Sequence, residues 1–249
     1  MIIEGGRTIY GAAIGICVLD RKYPLIPGNV GNPTTYDFPV RVKVIKGLYA
    51  APFTPTPLHP GETGDPLEKT IEVIREFNEE RGVRAIITAC GFFSGCQREL
   101  SAASDIPVFT SPLLLIPMIY RSIKPEKKVG ILTASANKLS KDFLVPVGVN
   151  KSIPIVIKGM EGCTEFKEVI GDKRWVADIE KMQNEVVDKA VELVRENPDI
   201  GALLLECSDM PPFAYAIQKA LKNMPVFDFI CMIRMIYHAL VQKEYSGFL

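Results

Sequence analysis

Short, almost unbroken apolar runs alternate along this chain with longer stretches in which apolar residues recur at every third or fourth position. The runs read as buried strands and the periodic stretches as helices packed on them. Thr8 to Leu19 is the first run, and Val40 to Ile45, where apolar and basic residues alternate, predicts a second strand. Asp65-Pro66-Leu67-Glu68 then offers an N-cap acid, proline at the first helical position and an acid in the first turn. Leu67, Ile71, Ile74 and Phe77 share one face of the helix that follows, which Gly82 ends. Further strands are predicted at Val83 to Ala89, Pro107 to Thr110, Val129 to Thr133, Ile153 to Ile157 and Ile200 to Glu206. Ser94 and Gln97 have capping-box spacing for a helix to Ala103, Pro117 should kink a helix over 112–123, and Ser135 should cap another. The longest helix is predicted over 177–197, with Ile179, Met182, Val186, Ala190 and Val194 facing inward.

Between Asp20 and Pro60 the pattern is broken by Pro, Gly, Asn and Thr. Loops of that length in a folded domain are either functional or disordered, so Gly28 to Pro39 is a candidate substrate-facing or subunit-facing loop, with plain surface loop as the alternative.

Strands alternating with helices throughout predict an α/β fold with parallel sheets covered on both faces. The pattern also repeats. Pro107-Val108-Phe109 returns as Pro225-Val226-Phe227, and Met118-Ile119-Tyr120 as Met235-Ile236-Tyr237. Cys90 precedes Met118 by 28 positions, and Cys207 precedes Met235 by 28. Ile14-Gly15-Ile16 resembles Val129-Gly130-Ile131 at nearly the same offset. Two similar three-layer α/β domains, related by an approximate two-fold axis, account for these matches. The expected division is 1–116 with 225–249 as one domain and 117–224 as the other.

Composition narrows the partners. Lys plus Arg and Asp plus Glu each number 29 in 249 residues, so no net field draws the chain to nucleic acid or to an acidic membrane surface. A small-molecule partner is expected. Glu4 and Arg7 interrupt the N-terminus, and the apolar run Leu113 to Tyr120 falls short of the ~20 residues that span a bilayer, so a cytoplasmic protein is expected. Six cysteines without a C-x-x-C pair, and two histidines, His59 and His238, make a metal site unexpected and free thiols the better reading. A homo-oligomer, a dimer or higher, is expected on general grounds.

Candidate chemistry centres on Cys90 and Cys207. Each ends an apolar strand run just before a helix start, where open α/β sheets place their ligand sites. A two-fold relation would bring them to one ligand from opposite sides, the arrangement needed to remove a proton from one face of a carbon and deliver one to the other. A helix start beside each thiol would lower its pKa and supply thiolate without a metal or cofactor. For Cys17, Cys96, Cys163 and Cys231 a plain packing role is expected, since free cysteine is among the most buried residue types. His59 reads as a loop residue and His238 as a helix-packing one.

Thr88-Ala89-Cys90-Gly91, Gly130-Ile131-Leu132-Thr133-Ala134-Ser135 and Glu206-Cys207-Ser208-Asp209-Met210-Pro211 together resemble the aspartate/glutamate racemase superfamily, and the resemblance spans nearly the whole chain. That superfamily includes cofactor-independent amino-acid racemases, hydantoin racemases, maleate isomerases and arylmalonate decarboxylases. The resemblance implies two similar α/β domains, Cys90 and Cys207 as acid and base, no cofactor, and Thr133, Ser135 and Ser208 beside them holding a substrate carboxylate; Gly91, next to Cys90, is a further candidate for contact with the substrate. Amino-acid racemases carry Asn-Thr after the first cysteine where this chain has Gly91-Phe92, and Asp209 stands where they often have His or Glu. Asn32 is the candidate to replace the missing polar contact. The expected activity is racemisation or epimerisation of a small amino acid, carboxylate or hydantoin-like compound. A single-cysteine isomerase or decarboxylase, or a non-catalytic ligand-binding member, is the alternative.

Overall fold

The computed structural model describes residues 5–6, 10–49, 65–171 and 174–247; His59 and the start of the first predicted strand lie outside them. Eight strands among these residues form two four-stranded sheets, parallel throughout. The first holds β1 (Ile14–Leu19), β2 (Val40–Ile45), β3 (Ala85–Thr88) and β4 (Val108–Phe109) in the order β2-β1-β3-β4. The second holds β5 (Lys128–Thr133), β6 (Ile155–Gly159), β7 (Ile200–Leu205) and β8 (Val226–Phe227) in the order β6-β5-β7-β8. The repeat read from sequence is therefore a repeat of register: Gly15 lies opposite Ile86 and Gly130 opposite Leu203, and Ile86 pairs with Val108 as Leu203 pairs with Val226.

The helices are α1 (Pro66–Glu79), α2 (Gln97–Ala102), α3 (Ile116–Ser122), α4 (Lys141–Leu144), α5 (Thr164–Ile170), α6 (Ile179–Glu196), α7 (Ala214–Ala220) and α8 (Phe229–Leu240). The Asp65 carboxylate accepts from the Leu67 backbone N–H, and α1 buries Thr70, Val73, Ile74 and Phe77. Asp178 caps α6 in the same way, and Met182, Val186, Ala190 and Leu193 form its buried stripe. Three local expectations are corrected. Ser94 does not cap α2: residues Gly91–Cys96 form a 3-10 helix with Ser94 buried inside it, while Gln97 turns to the Val108 carbonyl and Thr110. Pro117 does not kink a long helix, because a 3-10 turn at Pro112–Leu115 gives way to α3 and proline sits in the first turn of the new helix, where no N–H is needed. Ser135 caps nothing; its hydroxyl donates to Glu161.

Successive residues of a strand face opposite ways, and β7 shows what each face meets. Ala202 and Leu204 join an apolar cluster that also contains Ile14, Ile16, Ile86, Leu113 and Ile116 of the first half, whereas Leu203 and Leu205 join Phe166, Val186 and Phe213 of the second. One contiguous core thus runs through both halves. The last helix of each half changes sides: α3 follows β4 but packs on β5, and α8 follows β8 but packs on β3. A division at 224/225 would separate β8 from β7, to which it is hydrogen-bonded, so the return to the first sheet starts with α8 itself. Both sheets present the carboxyl ends of their inner strands, β1 and β3, β5 and β7, to the same region. That is where the two thiols lie.

Candidate active site

Cys90 follows β3 and Cys207 follows β7. Both are buried, at 6% and 8% exposure, and both line one cavity with Gly91, Phe92, Glu206, Ser208 and Asp209. Arg21 from the loop after β1, Ala134 from the loop after β5, and Ile170 at the end of α5 close it. An adjoining cavity shares Arg21, Ser208 and Asp209 and adds Tyr23, Asn29 and Gly31. Each has a volume of about 10 Å³, room for roughly one water, so a larger substrate fits only if the lining rearranges. Arg21 donates across the first of them to the Ile170 carbonyl at 3.0 Å. A larger cavity of 420 Å³ lies at the opposite, amino end of the first sheet, beside Tyr10, Arg41 and Glu80, and carries neither thiol.

The loop Gly28 to Pro39 is bound into this region. Asn29 donates to Asp209 at 2.6 Å, and the Val30 N–H reaches the Ser208 carbonyl. Gly28 has φ +100° and its Cα lies so close to Pro212 that a side chain would collide with backbone, so glycine is needed there on both counts. The loop is tied to itself by Thr35 and Tyr36, whose hydroxyls donate to the Asn29 and Val30 carbonyls at 2.8 Å.

Asp209 is the most heavily bonded acid of the site. It accepts from Asn29, from the Tyr23 hydroxyl at 2.9 Å and from the Cys207 thiol at 3.6 Å. Glu206, 1% exposed, accepts from the Thr133 hydroxyl at 2.7 Å through Oε2, while Oε1 has no hydrogen-bond partner among the described residues. Its carboxylate fills the space where Gly91 lacks a side chain; a Cβ at Gly91 would run into Glu206 Oε1.

Burial dominates the electrostatics, against the expectation that helix starts would activate the thiols. Removal from water, helped by Glu206 and opposed by Arg21, pushes Cys90 up to about 12. Burial together with Asp209 and Glu206 raises Cys207 well above the ordinary thiol range. The backbone N–H groups of Phe92 and Asp209 do favour the two thiolates in the expected direction, but burial outweighs them. Burial also lifts Glu206 to about 7, the Thr133 hydrogen bond opposing it and the Asp209 charge adding to it. Arg21 stays charged: burial works against it, but Tyr23, Asp209 and the two thiols outweigh that cost.

Of the residues named from sequence, Cys90, Gly91, Cys207 and Ser208 meet at the cavity. Thr133 reaches it through Glu206. Ser135 turns away to Glu161, and Asn32 serves its own loop, accepting from Thr34 and donating to the Leu25 carbonyl. Asn29 stands in the place foreseen for Asn32. Arg21, Tyr23 and Glu206 are site residues that the sequence reading does not single out, and Asp209, noted there only as a departure from the racemase pattern, is a fourth. The signal for two of them was present: Arg21 follows a strand end just as Cys90 does, and Glu206 is an acid terminating a run of buried apolar residues. All six cysteines are free; Cys231 is exposed on α8 rather than packed in the core, and His238 is exposed on the same helix. Among the described residues no group of three His, Cys, Asp or Glu side chains is placed to hold a metal ion, and no helix is long and apolar enough to cross a membrane.

No family model matches the chain. Among solved structures, a cysteine variant of arylmalonate decarboxylase superposes with a TM-score of 0.59 at 14% identity, covering 94% of this chain and 97% of that one. A glutamate racemase of Bacillus anthracis gives 0.58 at 14% identity, covering 93% and 82%. These establish the fold as that of the Asp/Glu/hydantoin racemase superfamily. Among sequences, a protein of Durusdinium sp. clade D named dimethylsulfoniopropionate lyase is 30% identical over 245 residues, 96% of this chain and 79% of that protein. Dimethylsulfoniopropionate lyase 5 of Emiliania huxleyi (strain CCMP1516) is 29% identical over 94% of this chain, which spans only 47% of that longer protein. Two thiols on one cavity, a racemase-type fold and likeness sustained along the chain agree, and the chain belongs to the family of the dimethylsulfoniopropionate lyases.

Proposed function

We propose that the protein is a carbon-acid lyase that removes the proton α to a carboxylate and expels a neutral sulfide from the β carbon. With dimethylsulfoniopropionate the products would be acrylate and dimethyl sulfide. The observation that carries this reading is the convergence of Cys90 and Cys207 on a cavity that also holds one arginine and two acids, Arg21, Glu206 and Asp209. Such a lining suits a small substrate with a carboxylate at one end and a cation at the other. Arg21 is the group to hold the carboxylate, where the charge of the carbanion accumulates as the α proton leaves.

Cys90 is the base in this scheme. Arg21 favours its thiolate, whereas Cys207, buried and donating a hydrogen bond to Asp209, is kept as the neutral thiol by burial and by the Asp209 charge. In the empty site Cys90 is too weakly acidic to ionise near neutrality. A substrate cation ~4 Å away at an effective dielectric of ~20 contributes ~4 kcal/mol, or roughly 3 pKa units, toward the thiolate. The substrate thereby helps to make its own base. The thiolate takes the α proton, the C–H electron pair becomes the new carbon–carbon double bond, and the β carbon–sulfur pair leaves with sulfur.

Racemisation or epimerisation, expected from the paired thiols, is the second reading, and the neutral Cys207 as proton donor favours it. Product analysis in heavy water separates the two. Acrylate and dimethyl sulfide in equal amounts support the lyase. Recovery of an α-substituted acid inverted and deuterated at Cα, with no sulfide released from the sulfonium compound, would sink it.

A further inference from the structure

We propose that Glu206 is the seat of the substrate's cationic group, receiving at Oε1 a sulfonium or quaternary ammonium centre that enters the cavity lined by Cys90 and Cys207. The inference rests on the lyase reading and names the residue that selects its substrate.

The carboxylate, in a side chain 1% exposed, is hydrogen-bonded through Oε2 to Thr133 at 2.7 Å, while Oε1 is buried against Gly91 without a hydrogen-bond partner among the described residues. An anion in that position lacks compensation, and a buried acid with a free oxygen is costly to maintain for packing alone. A glutamine or an aliphatic side chain would fill the space beside Gly91 equally well. Asp209, the other acid of the cavity, already accepts from Asn29, Tyr23 and Cys207 and offers less room to a ligand. An onium group has no N–H or O–H to donate, so it is recognised by charge and by apolar contact with its methyl groups. Phe92, Ala134 and Ile170 line the same cavity and supply that contact.

The empty site needs a substitute for the cation, and a proton is available. Glu206 is surrounded by Thr133 from β5, by Cys90 and Gly91 after β3, by Arg21 after β1 and by Cys207 and Asp209 on its own loop. Burial leaves it titrating at about 7. At pH 6 it therefore carries a proton, which an incoming cation displaces.

The experiment compares 3-(trimethylammonio)propionate with 4,4-dimethylpentanoate, which has the same shape and carboxylate but no positive charge. Binding of each to the wild-type protein and to Glu206→Gln is measured by calorimetry at pH 6 in buffers of different ionisation enthalpy. Wild type should prefer the cationic compound by roughly 10-fold or more and release a proton on binding it. Glu206→Gln keeps the Thr133 hydrogen bond and should bind the neutral compound as before, lose the preference and release no proton. A preference retained in Glu206→Gln, or binding to wild type without proton release, overturns the assignment. These outcomes are separable from failure of the underlying reading: a wild-type protein that never releases dimethyl sulfide from the sulfonium substrate overturns the lyase, whereas turnover with selectivity unchanged in Glu206→Gln overturns only the role of Glu206.

Discussion

At the scale of single residues, Glu206 links the chemistry to stability. Its pKa is raised from the ordinary value of 4.5 to about 7 by burial. A carboxyl that binds its proton more tightly when folded adds stability that is complete below about 4.5 and is lost as pH rises through about 7. The loss amounts to ~3 kcal/mol at ~1.4 kcal/mol per unit. Glu206→Gln cannot ionise, so denaturant unfolding at pH 5 and pH 8.5 should show the variant gaining on wild type by about that amount at the higher pH. A constant difference between the two proteins would contradict the buried, titrating acid. Arg21 and Asn29 show why such residues were hard to read in the sequence. Each sits in an irregular segment, and what makes it part of the site is a contact with a residue about 150 or more positions away, Ile170 and Asp209.

At the scale of elements, much of the fold was legible because local signals and burial agree. Asp65 caps the helix that its position announces, and, apart from the first run, of which Tyr10 to Ala13 stay outside β1, the apolar runs became strands within a few residues of their expected limits. The errors fall where a polar side chain had two possible partners. Ser94 and Ser135 were read as caps, yet tertiary packing buries one and Glu161 binds the other. The turn after β3 is shaped instead by the fit of Gly91 against Glu206. Gly91→Ala should destabilise the protein by ~1–3 kcal/mol or more through overpacking. In a Glu206→Ala background the colliding carboxylate is gone but the backbone carbonyl of residue 206, which also crowds that Cβ, remains, so the same change should still destabilise but by less, a coupling of ~0.5–3 kcal/mol in a double-mutant cycle of unfolding free energies. Equal costs in the two backgrounds would show that the two residues do not share that space.

At the scale of the whole molecule, the internal repeat announced two similar sheets, but not how firmly they are joined. The shared apolar cluster and the crossing of α3 and α8 bind each sheet to the other half's helix. Phe229, fully buried at the start of α8, is one anchor of this exchange. Phe229→Ala should lower stability by ~3–5 kcal/mol, and unfolding followed by different probes should remain a single coincident transition. Separate transitions for the two halves would mean that the core is not shared.

The same joining of halves puts one thiol from each on a single cavity, and the proposal that both serve one substrate is the central claim. Its most direct test is the rate of dimethyl sulfide release from dimethylsulfoniopropionate by the wild-type protein, Cys90→Ser and Cys207→Ser, each first shown to be folded. Cys90→Ser should lose ~10²–10⁴ in kcat/KM, the usual value of a positioned base, and Cys207→Ser should also fall at least roughly 10-fold, because it lines the same cavity and holds Asp209. Wild-type rates in Cys90→Ser, or no sulfide from the wild-type protein, would contradict it.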